Sequence, residues 1–354
     1  MTRWLAVLAA VVLAASAQAA TVTRYINTAS TPGGDGTTNA TAGAARAYAS
    51  MSEWEAAEQT NLVTDSDSHI VHCEGTAADT TACSISAWTT GAANDITIQV
   101  DAGATRHSGE WSASHYRLYV ANADAFTISE DHVNVYGLQI GLSASDGHRD
   151  DPIILTSITA GGGIEFVTCI VRGADNDTYS TILFVQNDND TVLLLRNCLF
   201  YDAGSNGSSY GLHGSGTGTI TIENCTVGNC YRGIGLSGTV TETNVLVTGS
   251  DGEDWFNYAS HTRTYCAGDD DDTSADEQGG AGNRVSQTFT FSSGYLLASN
   301  DAGARTYGTD LSGTFTDDIQ GDTRSAWDIG ADEYVAAGGN AMPMAQDLFG
   351  RRRR

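Results

Sequence analysis

The chain has no lysine, and this absence is the first constraint on what the protein does. All 17 basic residues are arginine, against 43 acidic residues, so the formal net charge is −26 at pH 7. A body this acidic repels nucleic acids and polyanionic glycans unless a cation bridges them. We therefore expect no nucleic-acid partner and an acidic surface suited to a saline environment.

Long apolar runs are also missing, except at the N-terminus. Arg3, the apolar residues 4–15 and the small residues Ala17 and Ala19 form the three parts of a secretory signal peptide. The apolar part is shorter than the about 20 residues that span a bilayer. We expect cleavage near Ala19 and a mature chain that is not inserted in a membrane. That chain would be secreted or held at the cell surface, with the periplasm as an alternative.

Proline and helical periodicity are scarce, and short strands repeat in their place. The chain has only three prolines but 40 glycines, and short Thr-, Val- and Ile-rich runs alternate with turn residues. Four of these runs resemble one another: residues 164–171, 192–200, 220–227 and 240–247. Cys169, Cys198 and Cys225 recur in the first three, at spacings of 29 and 27 residues. A loosely kept period of roughly 20–30 residues predicts a solenoid.

Equivalent places in the repeats also carry polar side chains. In a solenoid, inward-facing polar residues on successive coils stack as a hydrogen-bonded ladder. We expect such a ladder from Thr168, Asn197, Asn224 and Asn244.

With these repeats in view, the chain resembles a right-handed parallel β-helix of the pectin-lyase-like superfamily of secreted bacterial proteins. The four runs, residues 133–140, the opening Tyr25-Ile26-Asn27 with its Gly-Asp-Gly turn, and the closing residues 327–334 carry the resemblance. It implies an all-β solenoid over roughly residues 21–335. It does not imply one reaction, because this fold hosts lyases, hydrolases, epimerases, adhesins and structural proteins. The proline-containing arginine signature of the lyases and the aspartate signatures of the pectin hydrolases are both missing.

The repeats divide the chain into five parts. These are a signal peptide (1–19), a strand, loop and capping helix (20–65), the β-helix coils (66–265), an acidic loop with C-terminal coils (266–335), and a disordered basic tail (336–354). Ser52-Glu53-Trp54-Glu55 fits a capping box and predicts a helix to about Leu62. Because a solenoid exposes its core and strand edges at an open end, this helix is expected to cover the N-terminal end.

Seven cysteines leave at least one unpaired in an exported chain. Cys73 and Cys83 bracket a short polar loop, which predicts a disulfide between them. Cys169, Cys198 and Cys225 are expected to stack as buried free thiols.

The densest polar cluster beside a predicted strand supplies the candidate catalytic residues. It offers a general acid, a general base and a cation, a set suited to uronate chemistry. The competing interpretation is a solvated loop of ordinary turn residues. The candidates are Asp146, His148, Arg149, Asp150 and Asp151.

Two further segments are candidate binding sites. Carboxylates beside aromatic rings bind sugars, which suggests a glycan subsite at Glu253, Asp254, Trp255 and Tyr258. The alternative is a loop that covers the core. Crowded carboxylates suggest a Ca²⁺ site, or else an extended disordered loop, at Asp269, Asp270, Asp271 and Asp272.

We interpret the protein as an exported β-helix that engages an extracellular polysaccharide or has a structural role. A polysaccharide lyase or glycoside hydrolase is the alternative, and a phage tail-spike-like protein is the third. Ca²⁺ is the one cofactor that the sequence suggests. An enzyme needs titratable groups that converge on one coil face, whereas a binding protein needs aromatic rings and hydroxyls.

Overall fold

The computed structural model describes residues 19–336, except residues 104, 145–148, 160, 175–179, 187–190, 205–206, 257–260 and 271–279. Its chain winds through three parallel sheets, A, B and C, in that order on each coil. Successive strands of a sheet are therefore one coil apart. The predicted all-β, right-handed parallel β-helix is confirmed.

The strands are short, as the spacing of turn residues requires. Sheet A contains β1 (Ala20–Asn27), β2 (Asp67–Glu74), β5 (Ile96–Gln99), β8 (Val133–Tyr136), β11 (Gly163–Val167), β14 (Val192–Arg196), β17 (Thr219–Glu223), β20 (Thr239–Thr243) and β23 (His261–Thr264). Sheet B contains β3 (Ala78–Asp79), β6 (Arg117–Ala121), β9 (Gln139–Ala144), β12 (Ile170–Arg172), β15 (Leu199–Gly204), β18 (Thr226–Cys230), β21 (Leu246–Thr248) and β24 (Ala267–Gly268). Sheet C contains β4 (Cys83–Ile85), β7 (Phe126–Ile128), β10 (Ile153–Thr156), β13 (Thr181–Gln186), β16 (Tyr210–Gly214), β19 (Arg232–Leu236) and β22 (Glu253–Trp255).

The core runs through the middle of the coils as aligned rows of apolar side chains. In sheet A the register places Ile164 between Val133 and Leu193, and the row continues through Ile220 and Val240. All five side chains are buried. Since each coil covers the apolar side of the next, the repeat period in the sequence follows directly from this stacking.

The corner between sheets A and B explains the repeated Cys and Asn positions. Cys169 and Cys198 are fully buried on successive coils, with the Cys169 backbone N 3.4 Å from the Cys198 Sγ. Cys225 occupies the next coil, so the predicted stack of free thiols is confirmed. The residue before each cysteine has a left-handed backbone, with φ of 52°, 51° and 49° at Thr168, Asn197 and Asn224.

The prediction that these polar side chains face inward as a ladder is wrong. The three asparagines suit this corner because asparagine tolerates positive φ better than most residues, whereas Thr168 is a β-branched residue at the same place. The Asn244 amide donates to the Asn224 Oδ1 at 3.1 Å, which is one rung of a ladder. The Asn197 amide instead donates to the Asp317 carbonyl, in a segment that lies outside the coils.

A helix packs at the N-terminal end of the coils, but it begins earlier than predicted. Helix α1 (Met51–Glu58) has Ser50 as its N-cap, and the Ser50 hydroxyl accepts from the Glu53 backbone N at 3.1 Å. The capping residue is therefore two positions before the predicted one. A second short helix, α2 (Leu62–Asp65), follows. Trp54 is buried and stacks on Trp88 at 5.6 Å, within the same core as the first coil.

The predicted Cys73–Cys83 disulfide is absent, because the structure has both residues as buried free thiols. Cys73 belongs to β2 of sheet A and Cys83 to β4 of sheet C. The short sequence separation therefore places the two side chains on different walls of the coil.

The predicted C-terminal coils (266–335) are also corrected. Beyond β24, the described residues add no strand to the three sheets. They form a hairpin of β25 (Phe291–Ser293) and β26 (Leu296–Leu297), and then residues 299–336, which we call the C-terminal strap. The strap packs along the A–B corner, where the Ala331 N donates to the Thr226 Oγ1 at 2.9 Å.

Both predicted ends of the precursor lie outside the described residues: the signal sequence up to residue 18 and the basic tail from residue 337. Within the described ranges, no helix has the length and hydropathy of a membrane span.

Candidate functional site

A row of aromatic and arginine side chains crosses the outer face of sheet C. Strand alternation turns Leu183 and Val185 of β13 inward, so Phe184 faces outward. The register places His213 of β16 beside Phe184, and their rings stack at 5.7 Å with an interplanar angle of 13°. Tyr210 stacks on the His213 ring at 4.2 Å. We call this row, together with the residues packed on it below, the sheet-C platform.

Two arginines are packed on the platform. The Arg149 guanidinium carbon lies 3.9 Å from the Phe184 ring centre. At the other end, the Arg232 guanidinium lies 4.1 Å from the Phe256 ring centre, and its Nη1 donates to the Tyr210 hydroxyl at 2.7 Å. Both distances lie within the range of cation–π attraction. The platform therefore holds two fixed positive charges in a strongly acidic chain.

Burial and these arginines set the protonation of the platform. Burial, and after it the charges of Arg149 and Arg232, together lower the pKa of His213 to about 4. The imidazole is therefore neutral at pH 7 and acts as a flat aromatic surface between its two stacking partners. The platform is half-buried, so its rings remain partly accessible.

A buried carboxylate positions Arg149. The Asp151 Oδ2 accepts from the Arg149 Nε at 3.0 Å, and the Asp151 Oδ1 accepts from the Thr181 backbone N at 2.6 Å. The Asp151 side chain is only 2% exposed, whereas that of Arg149 is 43% exposed. Burial raises the pKa of Asp151 to about 7, although the Arg149 charge opposes the shift. Asp151 thus orients the arginine and does not itself face a ligand.

The predicted catalytic cluster is therefore only partly a site. Arg149 and Asp151 belong to the platform, while Asp150 is buried. Asp146 and His148 lie outside the described residues. A catalytic role for these five residues stays a prediction.

The predicted glycan subsite is largely inside the protein. Trp255 is buried, and its indole N–H donates to the Glu242 Oε2 at 2.7 Å, so its ring does not face a sugar. Asp254 is also buried and accepts from the Asp270 backbone N. Glu253 lies in register with Arg232 on the platform side. Tyr258 is outside the described residues.

The acidic loop borders an open groove of about 550 Å³ near the C-terminal end of the coils. Asp269 caps a turn there, since its Oδ2 accepts from the Thr248 hydroxyl and the Gly249 N, both at 2.8 Å. Asp271 and Asp272 lie outside the described residues. In the part of the chain that the structure describes, no three His, Cys, Asp or Glu side chains are arranged to hold a metal ion. Ca²⁺ binding by this loop stays a prediction.

Sequence reasoning missed most of the platform. Phe184 and His213 are 29 residues apart, which equals the Cys169–Cys198 spacing. Aromatic residues at the solenoid period were therefore a usable signal. Arg232 and Phe256 do not fall at this 29-residue spacing, because the later coils contain a different number of residues.

The fold and this surface define a parallel β-helix protein with an aromatic–arginine face on sheet C. No protein-family model matches the sequence, and no curated protein matches it either. Among solved structures, the chain is similar to a pectin methylesterase from Aspergillus niger in deglycosylated form. The TM-score is 0.42 and the identity 11%, over 73% of this chain and 88% of that one. At this level the likeness carries no functional information.

Proposed function

We propose that the protein binds an extracellular polysaccharide that contains uronic acids along the sheet-C platform. The observation that carries the proposal is the row of Phe184, His213 and Tyr210 flanked by Arg149 and Arg232. Aromatic faces stack on sugar rings, and arginine binds carboxylates with paired hydrogen bonds. A polymer that presents both sugar rings and carboxylates can therefore contact the aromatic rings and the arginines of this row.

The size and orientation of the platform fit an extended polymer. The contacts run from Phe184 of β13 to Phe256 just after β22, which is three strand steps. At about 4.8 Å per step this is roughly 14 Å, enough for more than one sugar along the solenoid axis. The net charge of −26 repels a polyanion at long range, so binding depends on the local arginines and on salt.

The enzymatic alternative, a polysaccharide lyase or glycoside hydrolase, requires titratable groups open to the substrate. On the described part of this face, Asp151 is closed off by Arg149 and by the Thr181 backbone. We therefore favour binding over catalysis. A lyase assay on uronate polymers, with and without Ca²⁺, is expected to show no new absorbance from unsaturated product.

The binding test compares an oligogalacturonate with a neutral gluco-oligosaccharide of equal length by isothermal titration calorimetry. Phe184→Ala should weaken the binding of both oligosaccharides about fivefold, since one ring contact contributes about 1 kcal/mol. Arg232→Gln should weaken the uronate alone, about tenfold or more, through the lost charged hydrogen bond. Tyr307→Ala is the matched control, because Arg284 lies 3.4 Å from this exposed ring in the strap. Equal losses in the control variant, or no binding by wild type, would refute the proposal.

A further inference from the structure

The C-terminal strap is attached to the solenoid by polar contacts along the A–B corner. The Arg324 Nη2 donates to the Asn197 Oδ1 at 3.2 Å, and the Asn197 amide returns a bond to the Asp317 carbonyl at 2.9 Å. Further along, Asn244 exchanges two bonds with the Thr309 backbone, at 2.8 and 2.9 Å. The strap therefore covers asparagines that recur along this corner of the coils.

The charges inside this interface do not balance. Arg324 is fully buried and is surrounded by four carboxyl groups that are at most 3% exposed, namely Asp318, Asp328, Asp332 and Glu333. Outside this group, Arg106 faces Asp317 and Asp318, and Arg305 faces Asp328. Since a buried unpaired charge is costly, an excess carboxyl group lowers the free energy by keeping its proton.

Asp332 is the group least suited to ionisation. Its Oδ2 accepts from the Leu297 backbone N of β26 at 2.7 Å, while its Oδ1 is buried with no hydrogen-bond partner among the described residues. Burial, and after it the charges of Asp318 and Asp328, raise the pKa of Asp332 to about 7, although the Leu297 hydrogen bond and the Arg324 charge oppose the shift. On the solenoid side, Asn197 and Thr226 carry no charge, and the charge of Arg106 faces Asp317 and Asp318.

We propose that the strap is a pH-dependent latch, docked on the solenoid while Asp332 is protonated and loosened when Asp332 ionises. The sign follows from linkage. A carboxyl group whose docked pKa lies above its free value favours the docked state fully at low pH, and this contribution is lost as pH rises towards the docked pKa. Loosening would expose the corner asparagines together with Ile170 and Leu199, which the strap now covers. This inference does not depend on the proposed glycan binding.

The absence of lysine gives a direct test, because trypsin can cut this chain only after arginine. Arg324 is fully buried, so cutting after it reports release of the strap. At pH 8.5, Asp332→Asn should be cut after Arg324 at least about tenfold more slowly than wild type, since each pKa unit is tenfold in the docking equilibrium. Asp310→Asn, an exposed change in the same strap, is the control and should be cut like wild type. Equal rates for Asp332→Asn and wild type would overturn the proposal.

A second measurement covers the case in which Asp332→Asn does not fold. Hydrogen exchange of wild type at pH 6 and pH 9, corrected for intrinsic rates, should show protection falling at least tenfold more in residues 315–333 than in β14. An equal fall in both regions means global unfolding and contradicts a latch.

Discussion

Asn224 offers a quantitative test of how the A–B corner is stabilised. It is fully buried, has φ of +49°, and accepts from the Asn244 amide at 3.1 Å. The variant Asn224→Ala should lose about 1–2 kcal/mol of its free energy of unfolding, because alanine is placed in the left-handed region. It should lose about 1–3 kcal/mol more because the amides and carbonyls around it lose a partner. Together we expect about 3 kcal/mol less free energy of unfolding.

Asn224→Gly separates the two contributions. Glycine adopts positive φ without steric cost, and Gly137 already occupies the equivalent corner of an earlier coil with φ of +69°. The glycine variant should therefore keep about 1 kcal/mol more stability than the alanine variant. Denaturant titration followed by circular dichroism measures both. Equal stability of the two variants would refute the role of backbone conformation, and wild-type stability in both would refute the whole account of the corner.

Three other predictions follow from charge, protonation and thiols. The melting temperature should rise with NaCl, because the Debye length falls from about 30 Å at 0.01 M to 3 Å at 1 M; millimolar Ca²⁺ should raise it further only if residues 269–272 bind the ion. Burial lowers the pKa of His261, but the hydrogen bond and charge of Glu242 outweigh this and raise it. That contribution to stability is full below the unfolded pKa and is lost as pH rises, so His261→Gln should destabilise more at pH 6 than at pH 8.5. Without reductant, a thiol reagent should label seven cysteines in denaturant and none in the native protein. If only five cysteines are labelled in denaturant, the predicted Cys73–Cys83 disulfide exists after all.

The fold could be predicted because its determinants repeat. Cys169, Cys198 and Cys225 occupy equivalent positions on successive coils, so the stacking of the coils appears in the sequence as a regular spacing of cysteines. The role of the asparagines was less accessible, because asparagine suits both an inward ladder and a left-handed corner. The strap was missed because its contacts, such as Arg324 with Asn197, join residues 127 apart in the chain.

The site was harder to predict because each misplaced residue depends on a partner elsewhere. For Trp255 the sequence left two interpretations, a glycan subsite or a loop that covers the core. The ring is buried because Glu242 faces inward, at a place in the row where the preceding coil has Ile222, and accepts the indole N–H. Arg149 and Asp151 were proposed as chemical groups. The fold instead uses Asp151 to orient Arg149 over Phe184, a ring contributed by the following coil.

Hydroxyl-radical footprinting tests most directly whether the sheet-C platform is the binding surface. Oxidation of Phe184, Tyr210 and Phe256 would be measured by mass spectrometry with and without saturating oligogalacturonate. The account predicts that the ligand protects these three rings and leaves Tyr119 and Tyr307 unchanged, since those lie on sheet B and on the strap. Protection of Tyr119 or Tyr307 without protection of Phe184 would contradict it.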